Sequence, residues 1–345
     1  MSDETLTRSL LITGSSGYIG THIVGQALQN GWQVRATTRS EAGIAKLETT
    51  FPYAFEQLKF AIVPDFTKHE AYHSILAGVT DIVHAASPFN LQPQDNAKDV
   101  LEPAIQGTLA ILEAAIRYGP QVRRVINISS FAAIVDMSKG LRPGHTYSER
   151  DWNPMTYDQA VATSNGPAAY CASKSLAERA MWDWMENNKL NVPFTLSVIN
   201  PPWVFGPYYA DPDLGTLCES VAALWRLFGA KTVPPTDFAG FVDVRDVAKA
   251  VMLVLDNPAA AGRRFLLGAN FDWQTAADII RKRFMAARDR VPAGRPGYGK
   301  LESVYNIDGG QAQQVLGLVY TPLDSTLYST VCQLLKAEEA EKGSY

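Results

Sequence analysis

The sequence predicts an α/β fold, a doubly wound parallel sheet joined to a smaller, mainly helical lobe. Three observations carry this. Apolar runs of strand length alternate with helical patterns through the first half of the chain. A glycine cluster separates the first run from the first helical pattern. Beyond residue 200, Pro201, Pro202, Pro207, Pro212, Pro234 and Pro235 break the alternation. Strands alternating with helices imply a parallel sheet covered on both faces.

In chain order, Ser9 to Thr13 is a buried strand and Ile19 to Asn30 a helix with apolar residues at helical spacing. Gln33 to Thr38, Lys59 to Val63 and Asp81 to His84 are the next strands. A long helix spans Val100 to Tyr118, followed by a strand at Val125 to Ser129. Ala168 to Lys189 is helical and Phe194 to Ile199 a strand; Phe241 to Asp256 is a strand end running into a helix, and Phe265 to Leu267 is one more strand. Gln274 to Leu335 reads as helices joined by a loop at Val291 to Gly299. The expected division is residues 1–200 with 239–268 in the large unit and 201–238 with 269–345 in the lobe. A length of 345 residues suits about two domains.

Composition narrows the functional classes. With 46% hydrophobic and 19% charged residues, a large core is available and intrinsic disorder is excluded. The net charge of −4 comes without a long run of either sign, so nothing marks a nucleic-acid backbone as partner. Cys171, Cys218 and Cys332 are scattered and odd in number, which fits a reducing compartment and no zinc site. Met1 to Arg8 is acidic and polar, unlike a signal peptide, and no apolar run approaches a bilayer span. The expectation is a cytoplasmic protein with no membrane partner and no metal.

The glycine cluster is Thr13-Gly14-Ser15-Ser16-Gly17-Tyr18-Ile19-Gly20. At a strand-to-helix junction the first glycine permits the turn, the second lets a pyrophosphate approach the backbone, and the third lets helix and strand pack closely. The helix start offers N–H groups and a positive dipole end to phosphates, as in a Rossmann dinucleotide site. An acid normally ends the second strand to hold the ribose 2′-hydroxyl. Here Thr37 and Thr38 stand there and Arg39 follows. Arg39, helped by nearby Lys46, can pair with a 2′-phosphate, which points to NADP(H). Asp65, past the third strand, either holds the adenine edge or caps its own loop.

Tyr170 and Lys174 are four residues apart, on one face of a helix. An ammonium beside a phenol favours the phenolate and is expected to lower its pKa, making Tyr170 a proton donor to a carbonyl that becomes an alcohol. Ser130, at the carboxyl end of a parallel strand, is placed to orient the substrate oxygen. Ser129 is its rival, since neighbouring strand residues face opposite ways. Phe89, Phe131, Tyr208, Phe238 and Trp203 are aromatics near the crevice, each either a substrate contact or core.

Together TGSSGYIG, HAASPF, INISS, AYCASK and NPPWVFGP resemble the extended short-chain dehydrogenase/reductases, in the branch of dihydroflavonol and cinnamoyl-CoA reductases. SSFAAI, the WNP segment and AYCASK are most similar to fungal carbonyl reductases of the yeast methylglyoxal reductase type, and the likeness extends through FVDVRDVAKA and the turn at Leu316 to Leu318. The resemblance implies an NADPH-dependent carbonyl reductase with Ser130, Tyr170 and Lys174 catalytic. It implies a cofactor site lined by Ala85, Ala86 and Ser87, by Tyr170 and Lys174, and by the segment of Pro201 and Val204; the residues themselves add Gly14, Ser16, Gly17, Tyr18, Ile19 and Gly20 of the turn, Arg39 and Lys46, and Asp65 if it holds the adenine edge. Phe89, Phe131, Tyr208 and Phe238 would meet a small carbonyl substrate. The alternatives are a nucleotide-sugar epimerase or dehydratase on the same scaffold and a non-catalytic NADP-sensing regulator. Gln106 stands where many members carry the asparagine of a proton relay, and AAYCASK in place of a longer tryptophan-containing motif argues against a CoA thioester. Oligomeric state is not legible, a homodimer being one option. His69 and His73 at helical spacing read as solvated rather than metal ligands, and Asp183 and Glu186 as a solvated helix face. Cys171 points away from Tyr170 and is not a nucleophile.

Overall fold

The computed structural model describes residues 8–299 and 304–343; the ends of the expected units at 1–7 and 344–345, and residues 300–303 in the lobe, lie outside the described residues. The chain begins with β1 (Ser9–Thr13), α1 (Tyr18–Gln29), β2 (Gln33–Thr38), α2 (Glu41–Thr50), β3 (Leu58–Ile62) and β4 (Asp81–His84). It continues with α3 (Glu102–Tyr118), β5 (Arg124–Ile128), β6 (Thr146–Tyr147), α4 (Tyr157–Ala162), α5 (Gly166–Asn187), β7 (Thr195–Asn200) and β8 (Trp203–Phe205). Then come α6 (Glu219–Trp225), β9 (Gly240–Asp243), α7 (Val244–Asp256), β10 (Arg264–Leu266), β11 (Ala269–Asn270), α8 (Trp273–Arg283), β12 (Asn306–Ile307), α9 (Gly310–Leu316) and α10 (Leu323–Gly343).

Seven strands form the main sheet in the order β10-β7-β5-β4-β1-β2-β3, every pair parallel. Alternate residues of its strands feed two cores. Leu10, Ile12, Val83 and Ile126 pack with Ile23 and Val24 of α1 and Val247 and Val251 of α7. Leu11, Ile82, Val125 and Leu196 pack with Ile111 and Leu112 of α3 and Met181 of α5. Each such side chain contributes about 1.5–3 kcal/mol on burial, so the inner strands tolerate few polar residues. The chain runs outward from β1 to β3 and returns to the other side of β1 at β4, which opens a crevice at the carboxyl ends of β1 and β4.

The lobe is less purely helical than expected. β8, β9 and β11 form a second sheet, with β9 between the other two. β9 lies in the expected large unit and its partners in the expected lobe, so this sheet ties the two together. Phe205, Phe241, Phe271 and Trp273 join Leu224 of α6, Ile280 of α8 and Leu327 of α10 in the lobe core. No described helix is long and apolar enough to cross a membrane.

Candidate active site

The crevice floor is the β1–α1 turn. Gly14 has φ +66°, and a Cβ there would lie 2.9 Å from the Ala86 backbone nitrogen; at Gly20 it would lie 2.2 Å from the Gly14 oxygen. Only glycine fits either position. Gly17 begins α1 with no side-chain cap, and the first turn holds no acid, so its N–H groups are available to an anion. The Thr13 hydroxyl accepts from the N–H groups of both Ala85 and Ala86 at 3.1 Å and meets His84 Nδ1 at 2.9 Å. Because that hydroxyl has one proton and accepts twice, it donates to His84, and burial pushes the imidazole down to about 3. The two walls of the crevice are thereby tied together.

The remaining residues expected around a nucleotide divide into two groups. Lys46 Nζ donates to the Ser16 carbonyl at 3.1 Å, beside the glycine turn, and Arg39 is exposed at the end of β2 with no hydrogen-bond or ion-pair partner among the described residues. Pro201 and Val204 are buried, and the Pro201 carbonyl accepts from the Phe131 N–H at 2.9 Å. Tyr18 turns its hydroxyl to the Gly206 carbonyl at 2.7 Å, and Ile19 packs on the core. Asp65 is exposed, and its carboxylate accepts from the Thr67 N–H and hydroxyl at 2.9 and 2.6 Å, bonds that hold it below the usual carboxylate range. That is the loop-capping alternative of the two open for this residue.

On the other side of the crevice, Asn165 caps α5 through the Ala168 N–H at 3.0 Å, and Gly166 lets the helix start against the Leu91 carbonyl. Tyr170 stands one turn into the helix and Lys174 two, and the Lys174 ammonium lies 5.5 Å from the centre of the Tyr170 ring and donates to Ser87 Oγ at 2.6 Å. Burial pushes Lys174 down to about 8. It raises the Tyr170 phenol above its ordinary value, with Cys171 adding to the rise and the Ser130 hydroxyl opposing it. The expected lowering of the phenol is not found: the ammonium is directed at Ser87, and its own charge is disfavoured by the same burial. Ser130 and Tyr170 line one cavity, whereas Ser129 donates to Glu178 at 2.6 Å on the opposite side of the strand. Both serines follow the alternation of β5.

That cavity has a volume of about 680 Å³ and mostly apolar walls, including Phe89, Trp203, Leu227, Phe238 and Trp273. The Phe89 ring meets Tyr170 edge-on, 5.0 Å between centres. Two expected substrate contacts are elsewhere. Phe131 is fully buried among Tyr147, Phe238 and Tyr305, since the turn after Ser130 sends its ring into the core. The Tyr208 hydroxyl accepts from the Cys218 N–H at 2.6 Å, and its ring packs 4.7 Å from Tyr18, which keeps it out of the cavity. Cys171, expected to point away, lies on the cavity wall, but burial pushes its thiol up to about 12, out of reach of nucleophilic use. The sequence reading missed Trp273, Asp237 and the Glu219–Arg226 pair at 2.6 Å, all lining the cavity from loop or lobe positions. His69 and His73 both meet Tyr118, and the described residues hold no cluster suited to a metal ion.

A parallel sheet with a phosphate turn at its switch point, and a Ser, Tyr and Lys grouped across the crevice, define a dinucleotide-dependent enzyme of the short-chain type. Residues 10–268 match the NAD dependent epimerase/dehydratase family, and the chain belongs to that family. It is 33% identical over 342 residues to the NADPH-dependent methylglyoxal reductase of Saccharomyces cerevisiae, an alignment covering 96% of this chain and 99% of the relative. A ketoreductase of Aspergillus niger is also 33% identical, with the same coverage of both chains. Among solved structures, yeast methylglyoxal/isovaleraldehyde reductase complexed with NADPH is similar at a TM-score of 0.90 and 32% identity, covering 96% of this chain and 99% of that one.

Proposed function

We propose that the protein is an NADPH-dependent carbonyl reductase that converts an aldehyde or ketone to the alcohol. The observation that carries this reading is the meeting of Ser130 and Tyr170 in an apolar cavity beside Lys174 and the glycine turn. The cradle fits the cofactor: two glycines leave room that a Cβ would fill, the start of α1 is open to phosphate, and Arg39 is free to meet a 2′-phosphate beside Lys46. When bound, the dihydronicotinamide supplies the hydride. Ser130 Oγ then holds the carbonyl oxygen, and Tyr170 Oη gives it a proton as the alcohol forms. A phenol raised above its ordinary value stays protonated at neutral pH, which suits the reductive direction. Lys174, which donates to Ser87 and stands next to the phenol, would hold the cofactor ribose. We take residues 201–238 with the C-terminal segment as the lobe that covers the substrate.

The cavity disfavours a nucleotide sugar. A diphosphate needs cations, and the one cation lining the cavity among the described residues, Arg226, is already paired with Glu219. The test is consumption of NADPH and of NADH with a panel of aldehydes, diketones, ketoesters and aromatic ketones. One charge-assisted contact from Arg39 is worth about 1.5–3 kcal/mol, so NADPH should be preferred by roughly 10- to 150-fold, and Arg39→Asp should reverse the order. Equal use of both cofactors by the wild type would remove Arg39 from the account.

A further inference from the structure

Tyr170, Lys174 and Glu178 follow one another at four-residue intervals on one face of α5. The first meets the cavity and the second the cofactor wall. The third is turned into the sheet with no exposure. The Glu178 carboxylate accepts from the Ser129 hydroxyl at 2.6 Å, from the Asn200 amide at 2.7 Å, from Nε of Arg264 and from the Trp182 indole at 3.4 Å. Asn200, at the end of β7, uses the same amide nitrogen to donate to the Ser130 carbonyl at 3.1 Å. Arg264, in β10, is held in turn by the carbonyls of Glu149 and Asp151 and by the face of Trp152.

We infer that Glu178 is the positioning residue that sets Ser130 against Tyr170, a role that rests on the reductase reading above. Ser130 is bracketed: the residue before it is bonded to Glu178 directly, and its own carbonyl is bonded to Glu178 through Asn200. The carboxylate thereby joins the helix that carries the proton donor to three strand ends, one of which carries the serine. Apolar side chains would attach α5 to the sheet equally well, since a buried ion pair stabilises little more than a well-packed apolar substitute. What apolar packing lacks is direction, and the three hydrogen bonds that reach Glu178 from Ser129, Asn200 and Arg264 fix both the rotation and the height of α5 over the sheet.

The test separates positioning from stability. Glu178→Leu combined with Arg264→Met removes both charges and fills the space; the Ser129 hydroxyl and the Glu149 and Asp151 carbonyls lose partners, so the protein should fold with a melting temperature lowered by several degrees. Its kcat should fall about 10- to 100-fold, the scale of a misplacement near 1 Å, with NADPH Kd within about threefold. A folded double variant with wild-type kcat overturns the inference. If that variant does not fold, Ser129→Ala, which keeps the ion pair and removes one tie to Ser130, should lower kcat about 3- to 10-fold, and Ser129→Thr should restore it. Unchanged kcat in Ser129→Ala also overturns the inference. Wild-type protein in the same assay isolates the two readings. If it consumes no NADPH with any carbonyl, the proposed function fails; if it is active beside fully active variants, the positioning role alone fails.

Discussion

At the scale of single residues, position in the fold decides chemistry that residue type leaves open. Lys174 is the clearest case. Burial lowers its folded pKa to about 8, so the ammonium is present below that pH and lost above it. The phenol beside it, being raised, stays protonated through the same range. Carbonyl reduction should therefore show kcat/KM that is level below about pH 8 and falls above it, and Lys174→Arg should move the fall to higher pH. A profile falling instead on the acid side would contradict this order of ionisation. Phe131 and Phe238 make a second contrast. Phe238 faces the cavity, so Phe238→Ala should reorder the carbonyl panel. Phe131 is core, so Phe131→Ala should cost about 3–5 kcal/mol in denaturant unfolding with the substrate order kept.

Among the elements, β1, β2 and β4 have the expected bounds. β1 and β4 are legible because parallel strands under two helical layers carry short apolar runs, whereas β2, Gln-Val-Arg-Ala-Thr-Thr, is only partly apolar. The helix of Tyr170 and Lys174 is legible through that pair, and its start at Gly166, after the Asn165 cap, lies two residues before the expected one. Of the small sheet only β9 was legible, as the strand end before α7: β8 and β11 are 2–3 residues long and pair with it from distant segments, and such short strands carry no periodicity. Glu178 escaped for a different reason. A glutamate on a helix reads as solvated until its partners on three strands are brought to it. Phe131 and Phe238 were inseparable in sequence because an aromatic facing a cavity and one facing the core have the same composition. Within the β1–α1 element, Gly14→Ala should weaken NADPH binding at least about tenfold. The left-handed backbone costs about 1–3 kcal/mol with a side chain, and the new Cβ would press on Ala86. Fluorescence titration of NADPH reads this directly, and an unchanged Kd would mean the turn does not hold the phosphates.

For the whole molecule, function follows from two surfaces meeting over one crevice. The main sheet supplies the glycine turn, Ser130 and, through α5, Tyr170 and Lys174. The lobe and its loops supply Trp273, Leu227 and Arg226, which close an apolar cavity above them. The central claim is that Tyr170 is the proton donor of an NADPH-dependent carbonyl reduction. The most direct test measures kcat for a carbonyl and Kd for NADPH side by side in wild type and Tyr170→Phe. The account predicts kcat lower by about 10²–10⁴-fold, because phenylalanine keeps the ring and loses the proton, with NADPH binding little changed. A Tyr170→Phe enzyme that turns over near the wild-type rate would contradict it.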